Sequence, residues 1–160
     1  ADIVIVTKCN KDLNEEEQAQ IKNKIALLPH QIIGFSYFDY SKPLNKTGIE
    51  VELPKDFILV TGIAHTEYLT DYLNEQGCTF EQLKYSDHHN FDEKNYAAIE
   101  EACTTFNHKT ILTTSKDFSR LNTNHPSLLD FEILQLPITV KFLAGAEEIE
   151  TQILSFVLEK

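Results

Sequence analysis

The sequence predicts an α/β fold, a three-layer, Rossmann-like, mostly parallel sheet with helices on both faces. Short apolar stretches alternate with segments of helical spacing, which implies parallel pairing through right-handed crossovers. Polar clusters follow several of those stretches, at the strand C-terminal edge where such folds keep their ligand chemistry. The chain has 160 residues, 42% hydrophobic and 24% charged, enough for a core of ordinary globular composition.

Residues 2–6, with Ile3-Val4-Ile5-Val6, read as a strand buried on both faces and central in a parallel sheet. That run begins almost at the first residue and the sequence holds no methionine, so a neighbouring strand is expected upstream, in a longer chain. Asn14 with Glu17 fits a capping box, and Leu13, Ile21, Ile25 and Leu28 mark one apolar helical face ending before Pro29. Residues 32–40 form an aromatic-rich strand. Residues 41–55 hold Pro43, Gly48 and Pro54, which reads as a linker or hairpin and as a domain boundary.

Beyond it, residues 57–61 form a strand and 66–76 a helix, with Leu69, Tyr72 and Leu73 inward and Gly77 at C′. A less cleanly patterned strand lies within 78–85. Residues 92–106 form a helix with Tyr96, Ile99, Cys103 and Phe106 on one face and Asn90 with Glu93 as its capping box. A strand at 110–114, a short helix at 117–121 and a strand at 131–136 follow. Pro137 interrupts, 138–142 continue extended, and 146–158 close the chain as a helix with Ile149, Ile153, Phe156 and Val157 inward.

The net charge of -11, from 25 acidic against 14 basic residues, disfavours nucleic acid and any electrostatic patch for anionic membranes. No apolar run approaches the roughly 20 residues that span a bilayer. Cys9, Cys78 and Cys103 are widely spaced and form no CxxC pair, so they read as reduced thiols rather than a zinc site or disulfide framework.

Asp87-His88-His89 follows one apolar stretch. A histidine beside a carboxylate can act as a general base, and the same triplet can ligate a metal. It equally fits a solvated loop with Asp87 capping a turn. Thr113-Thr114-Ser115-Lys116-Asp117 lies on a strand-to-helix turn, where hydroxyls, amides and a lysine suit an anion. The alternative there is a helix cap at Thr114 or Ser115 with Lys116 in solvent. Thr7-Lys8 and Thr61-Gly62 end two further strands, so a single parallel sheet would bring four clusters to one edge.

In this order and spacing, ADIVIVTK at 1–8, VTGIA at 60–64, DHHNF at 87–91, ILTTSKDFSRL at 111–121 and LPITVKF at 136–142 resemble the C-terminal part of the tetraacyldisaccharide 4'-kinase family, over essentially the whole chain. These are the lipid A 4'-kinases of bacterial outer-membrane synthesis. The resemblance implies a Mg²⁺-dependent transfer of the ATP γ-phosphate to the 4'-hydroxyl of a tetraacylated disaccharide 1-phosphate, by an enzyme of two α/β lobes. The front lobe carries the phosphate loop and the acidic residues for Mg²⁺, and this chain contains no G-x-x-x-x-G-K-[ST] string. Residues 1–54 would then be the strand-helix-strand tail of the front lobe plus the interlobe linker, and 55–160 the back lobe. Residues 32–40 and 138–142 are candidates for a two-stranded connection, with 138–160 returning to the front.

By the same resemblance, His88 points into the cleft between lobes and supports a front-lobe carboxylate that activates the sugar hydroxyl, with Asp87 flanking it. Thr7 and Lys8 lie near the nucleotide. Thr114, Lys116 and Asp117 match a T-T-x-K-D string whose x is usually glutamate, and here Ser115. No metal ligand is assigned to this chain. The implied partners are ATP, the lipid disaccharide 1-phosphate and the cytoplasmic face of the inner membrane, the last through the missing front part. The fragment alone is expected to be inactive. Two other readings of the residues stand beside this one: a metal-dependent phosphohydrolase built on Asp87-His88-His89, and a non-catalytic α/β module.

Overall fold

The structure, a computed structural model, describes residues 1–158. In chain order the elements are β1 (Ile3–Val6), α1 (Glu15–Ile25), β2 (Ile32–Tyr40), β3 (Asp56–Thr61), α2 (Glu67–Glu75), β4 (Thr79–Lys84), α3 (Glu93–Thr105), β5 (Thr110–Thr114), α4 (Ser115–Phe118), β6 (Glu132–Leu136), β7 (Ile138–Ala144) and α5 (Ala146–Leu158). A 3-10 turn, Pro126–Leu128, precedes β6. The chain divides into two compact units, one running from Tyr40 to Ile138 and the other formed by Ala1–Asp39 with the segment from Thr139 onward.

The unit from Tyr40 to Ile138 is built on a four-stranded sheet of order β4-β3-β5-β6, parallel throughout. β3 is an uninterrupted apolar strand because both its faces are covered. Ile58 and Val60 face a core with Tyr96, Ile99 and Cys103 of α3. Phe57 and Leu59 face a second core with Leu69 and Leu73 of α2. The period of two puts alternate residues on opposite faces, and each fully buried apolar side chain contributes roughly 1.5–3 kcal/mol. The expected α/β fold with helices on both faces of a parallel sheet is what forms. The weaker pattern of β4 follows from its place at the edge of that sheet. At the other edge Leu44 forms antiparallel bridges to Gln135 of β6 and to Glu50, so residues 41–55 include a small hairpin that covers the edge.

The other unit carries a three-stranded sheet of order β1-β2-β7. β1 runs parallel to β2, with Ile3 opposite Ile32 and Val6 opposite Phe35. β1 was expected to be central and buried on both faces. Among the described residues it is instead an edge strand, and Ile5 is 45% exposed, because β2 is its one neighbour.

Several helix details also differ from expectation: Ile25 and Leu28 of the expected apolar face at the first helix are exposed, and the short helix expected at 117–121 forms at Ser115–Phe118. The capping box of α3 is Asp92 with Asn95, not Asn90 with Glu93. Phe106 is exposed, since α3 ends at Thr105 and Phe106 is its C-cap, off the buried face. On α5 only Ile149 is buried. Ile153, Phe156 and Val157 are half or more exposed. The capping box of Asn14 and Glu17 forms as expected.

Candidate active site

The strand order of the four-stranded sheet reverses at β3: the chain crosses to β4 on one side and then to β5 on the other. Proteins of this architecture bind ligands in the crevice at the strand C-terminal ends beside such a reversal. Gly62, following β3, and Thr114, ending β5, stand there. Asp117 joins them. It is fully buried, and one carboxylate oxygen accepts from the Gly62 N–H at 3.0 Å and from the Thr114 hydroxyl at 2.8 Å. Thr114 caps α4 in return, its oxygen accepting from the Asp117 N–H at 3.1 Å. Thr113 is buried, and its hydroxyl donates to the Val60 carbonyl at 2.7 Å.

Gly62 is closely surrounded in this packing. A Cβ there would lie 3.0 Å from Asp117 Oδ1 and 3.4 Å from both His89 Cβ and the Ser86 carbonyl. The loop after β4 is therefore held directly against the β3 turn. It is also tied back by the Tyr85 N–H, which donates to the Thr61 carbonyl at 2.7 Å.

The three side chains of Asp87-His88-His89 go to three different partners. Asp87 is ion-paired with Lys116, Nζ to Oδ1 at 2.8 Å, and the same oxygen accepts from the His88 backbone N–H at 3.0 Å. That lysine, helped by the nearby His88, holds the Asp87 carboxyl below the usual carboxylate value. His88 Nδ1 lies 2.8 Å from Arg120 Nη2. His89 stacks on Tyr85 at 4.7 Å, and its Nε2 lies 2.8 Å from Asn95 Oδ1, which also accepts from the Asp92 N–H. His89 thus ties the loop to the start of α3. Among the described residues no group of three His, Cys, Asp or Glu is placed to hold a metal ion.

Four non-glycine residues have positive φ: Lys8, Ala26, His88 and Asn107. Ala26 caps the end of α1, and Asn107 follows the C-cap of α3, where a left-handed residue commonly closes a helix. His88, at φ 59°, and Lys8, at φ 59°, have no such role and follow strands. Backbone held in this sparsely populated region is a pointer to function.

Of the residues singled out in the sequence, Asp87, His88, Thr114, Lys116 and Asp117 come together at one sheet edge. Lys116 is not free in solvent, and Thr114 does cap its helix. Asp117 turns inward, beneath the surface. Thr7 and Lys8 are exposed and end β1 of the three-stranded sheet, so the four expected clusters divide between two sheets, three and one. Arg120 and Asn95 were missed. Arg120 stands three residues after Asp117, just past the end of α4, a spacing that reads as a surface ion pair, and its contact with His88 spans 32 residues of sequence.

A parallel, doubly covered sheet with hydroxyl, basic and histidine side chains gathered at its strand reversal defines a Rossmann-like α/β protein. The model of the Tetraacyldisaccharide-1-P 4'-kinase family, LpxK, matches residues 1–158. The chain belongs to that family. It is 33% identical over 164 aligned residues to the tetraacyldisaccharide 4'-kinase of Flavobacterium johnsoniae, covering 99% of this chain and 46% of that protein. It is 35% identical to the corresponding kinase of Phocaeicola vulgatus, covering 93% of this chain and 44% of that one. The chain therefore spans less than half the length of these curated relatives. The crystal structure of LpxK from Aquifex aeolicus in complex with ATP shares its fold, with a TM-score of 0.51 and 15% identity over 96% of this chain and 51% of that one.

Proposed function

We propose that this chain is the C-terminal part of a lipid kinase that transfers the γ-phosphate of ATP to the 4'-hydroxyl of a tetraacyldisaccharide 1-phosphate in lipid A synthesis. The observation that carries the reading is the family match across residues 1–158. The left-handed His88 within the DHHNF string supports it. In this reading His88 stands on the acceptor side of the reaction and supports a carboxylate from the front lobe, with Asp87 flanking it. Lys116, and separately Thr7 and Lys8, supply cationic and hydroxyl groups for phosphate, while the Thr114 hydroxyl, bonded to Asp117, shapes the turn that carries Lys116. Asp117 acts through the turn it holds, since its carboxylate is buried.

Phosphoryl transfer draws its catalysis mainly from positioning and charge neutralisation. Mg²⁺ would supply part of that neutralisation, but the carboxylates of this edge do not suit it. Asp87 is engaged by Lys116, and the second oxygen of Asp117 faces the Arg120 guanidinium at 4.0 Å. The reading assigns Mg²⁺, the phosphate loop and contact with the inner membrane to residues outside this chain. Among the described residues no helix is long and apolar enough to cross a membrane.

Two assays test it. In the full-length protein, His88→Ala is expected to lower kcat roughly 10²–10⁴-fold with an unchanged melting temperature. A loss of stability with kcat preserved would remove His88 from the chemistry. The 160-residue chain alone is expected neither to hydrolyse ATP nor to phosphorylate the lipid, and chelator-sensitive kinase activity in it would overturn that part.

A further inference from the structure

Five charged or titratable side chains form one chain of contacts across the strand edge. Asp117, buried, lies 4.0 Å from Arg120 Nη1. Arg120 Nη2 reaches His88 Nδ1 at 2.8 Å. His88 Nε2 lies 3.6 Å from Asp87 Oδ2, and Asp87 Oδ1 is 2.8 Å from Lys116. The Arg120 side chain is mostly covered, at 23% exposure, whereas that of His88 is 71% exposed. An exposed imidazole would ordinarily sample several rotamers and both neutral tautomers. Here it contacts a guanidinium whose other terminal nitrogen faces the buried Asp117 carboxylate at 4.0 Å, within ion-pair range but without a hydrogen bond.

We infer that Arg120 is a positioning residue that locks His88 in its Nε2–H tautomer, with that N–H on the Asp87 side as a hydrogen-bond donor. A guanidinium has only donors and keeps its protons. The 2.8 Å contact therefore requires the lone pair on Nδ1. In a neutral imidazole the proton must then sit on Nε2. Such a ring has no lone pair left to take a proton. His88 can support a carboxylate by donating to it, but it is not itself the base. Residue 88 makes this contact from a left-handed backbone, at φ 59°. The planar fork of Arg120 aims one nitrogen at His88 at 2.8 Å while the other faces Asp117 at 4.0 Å, an arrangement that a lysine at position 120 could not reproduce.

The tautomer stands independently of the kinase reading. Its catalytic consequence rests on that reading. The first test is long-range ¹H–¹⁵N correlation of the imidazoles in the 160-residue chain at about pH 8, where an ordinary histidine is neutral. His88→Gln identifies the resonance. The expected spectrum shows His88 protonated on Nε2 and unprotonated on Nδ1 in the wild type, moving to a tautomer mixture in Arg120→Gln. Arg120→Lys should restore the preference only in part. A wild-type proton on Nδ1, or an unchanged tautomer in Arg120→Gln, overturns the inference. If Arg120→Gln fails to fold, the wild-type spectrum and Arg120→Lys still decide. The second test uses the full-length protein, where Arg120→Gln should lower kcat by roughly tenfold or more, as losing the outer partner of a working imidazole does, while KM changes little. Equal kcat in Arg120→Gln and wild type, alongside a collapse in His88→Ala, would overturn the positioning role. Absence of lipid kinase activity in the wild-type full-length protein would instead remove the kinase reading and leave the tautomer result untouched.

Discussion

A carboxylate shut away from solvent needs donors. One oxygen of Asp117 accepts from both the Gly62 N–H and the Thr114 hydroxyl, while the other has no hydrogen bond among the described residues and faces Arg120 at 4.0 Å. Asp117→Ala would orphan both donors, so unfolding in urea should show a loss of about 3 kcal/mol or more. Asp117→Asn, which keeps an acceptor, should lose less; equal losses would argue against the hydrogen bonds as the cause. Asp87, at the surface, behaves differently. Lys116 holds its carboxyl below the usual value. A carboxylate depressed in the folded state contributes stability above its unfolded pKa and loses it as pH falls through the folded value. Carboxyl titration by NMR should find the Asp87 midpoint rising toward the ordinary value in Lys116→Ala, and a static midpoint would refute the pairing. The sequence made this site legible as residue types, because hydroxyls, a lysine, a carboxylate and a histidine followed strands. It did not make the partners legible. Whether Asp117 turned outward to a ligand or inward to Gly62 depended on a contact across 55 residues.

Elements are decided by their ends as much as by their periodicity. Gly145 joins β7 to α5 at φ 81°, and a Cβ there would collide with the Ile33 carbonyl and approach Gly34 Cα at 2.8 Å. Backbone cannot yield as a side-chain tip can. Gly145→Ala should therefore cost roughly 2 kcal/mol or more and detach the first turn of α5, where Ile149 is buried. Far-ultraviolet circular dichroism with thermal unfolding would check it, and a wild-type melting curve would sink it. In α3, burial pushes the Cys103 thiol up to about 11. At about pH 8, near the ordinary thiol value, Cys103 should resist a thiol reagent until the protein unfolds. Rapid modification of the native chain at Cys103 would place it elsewhere than in the core. Most element bounds followed from sequence because apolar spacing and turn residues agree there: β2, β5 and α5 run where expected. The α3 cap was misjudged because Asn90, Asp92, Glu93 and Asn95 all suit capping, and only His89, bonding to Asn95, selects the pair that forms.

At the scale of the whole molecule the sequence predicted one edge with four polar clusters, whereas the strands divide into sheets of four and three. Alternation of strand and helix says nothing about which strand pairs with which. The two units also differ in how completely they bury their apolar groups. In the unit from Tyr40 to Ile138, Phe57, Ile58, Leu59, Val60, Ile111 and Leu112 of β3 and β5 are each 0% exposed. In the other unit Ile5, Val140, Ile153, Phe156 and Val157 are 45–66% exposed. Backbone with few buried apolar neighbours opens at lower free energy. Amide hydrogen exchange on the 160-residue chain should therefore protect β3 and β5 most and β1 and α5 least, with the protection of β3 and β5 approaching the global unfolding free energy. If the chain is part of a longer kinase, residues of the front lobe have these apolar faces to cover, and protection of β1 and α5 should rise in the full-length protein while that of β3 and β5 stays near its limit. Equal protection of α5 and β5 in the 160-residue chain would contradict the burial argument. Unchanged protection of β1 and α5 in the full-length protein would mean that the front lobe covers neither.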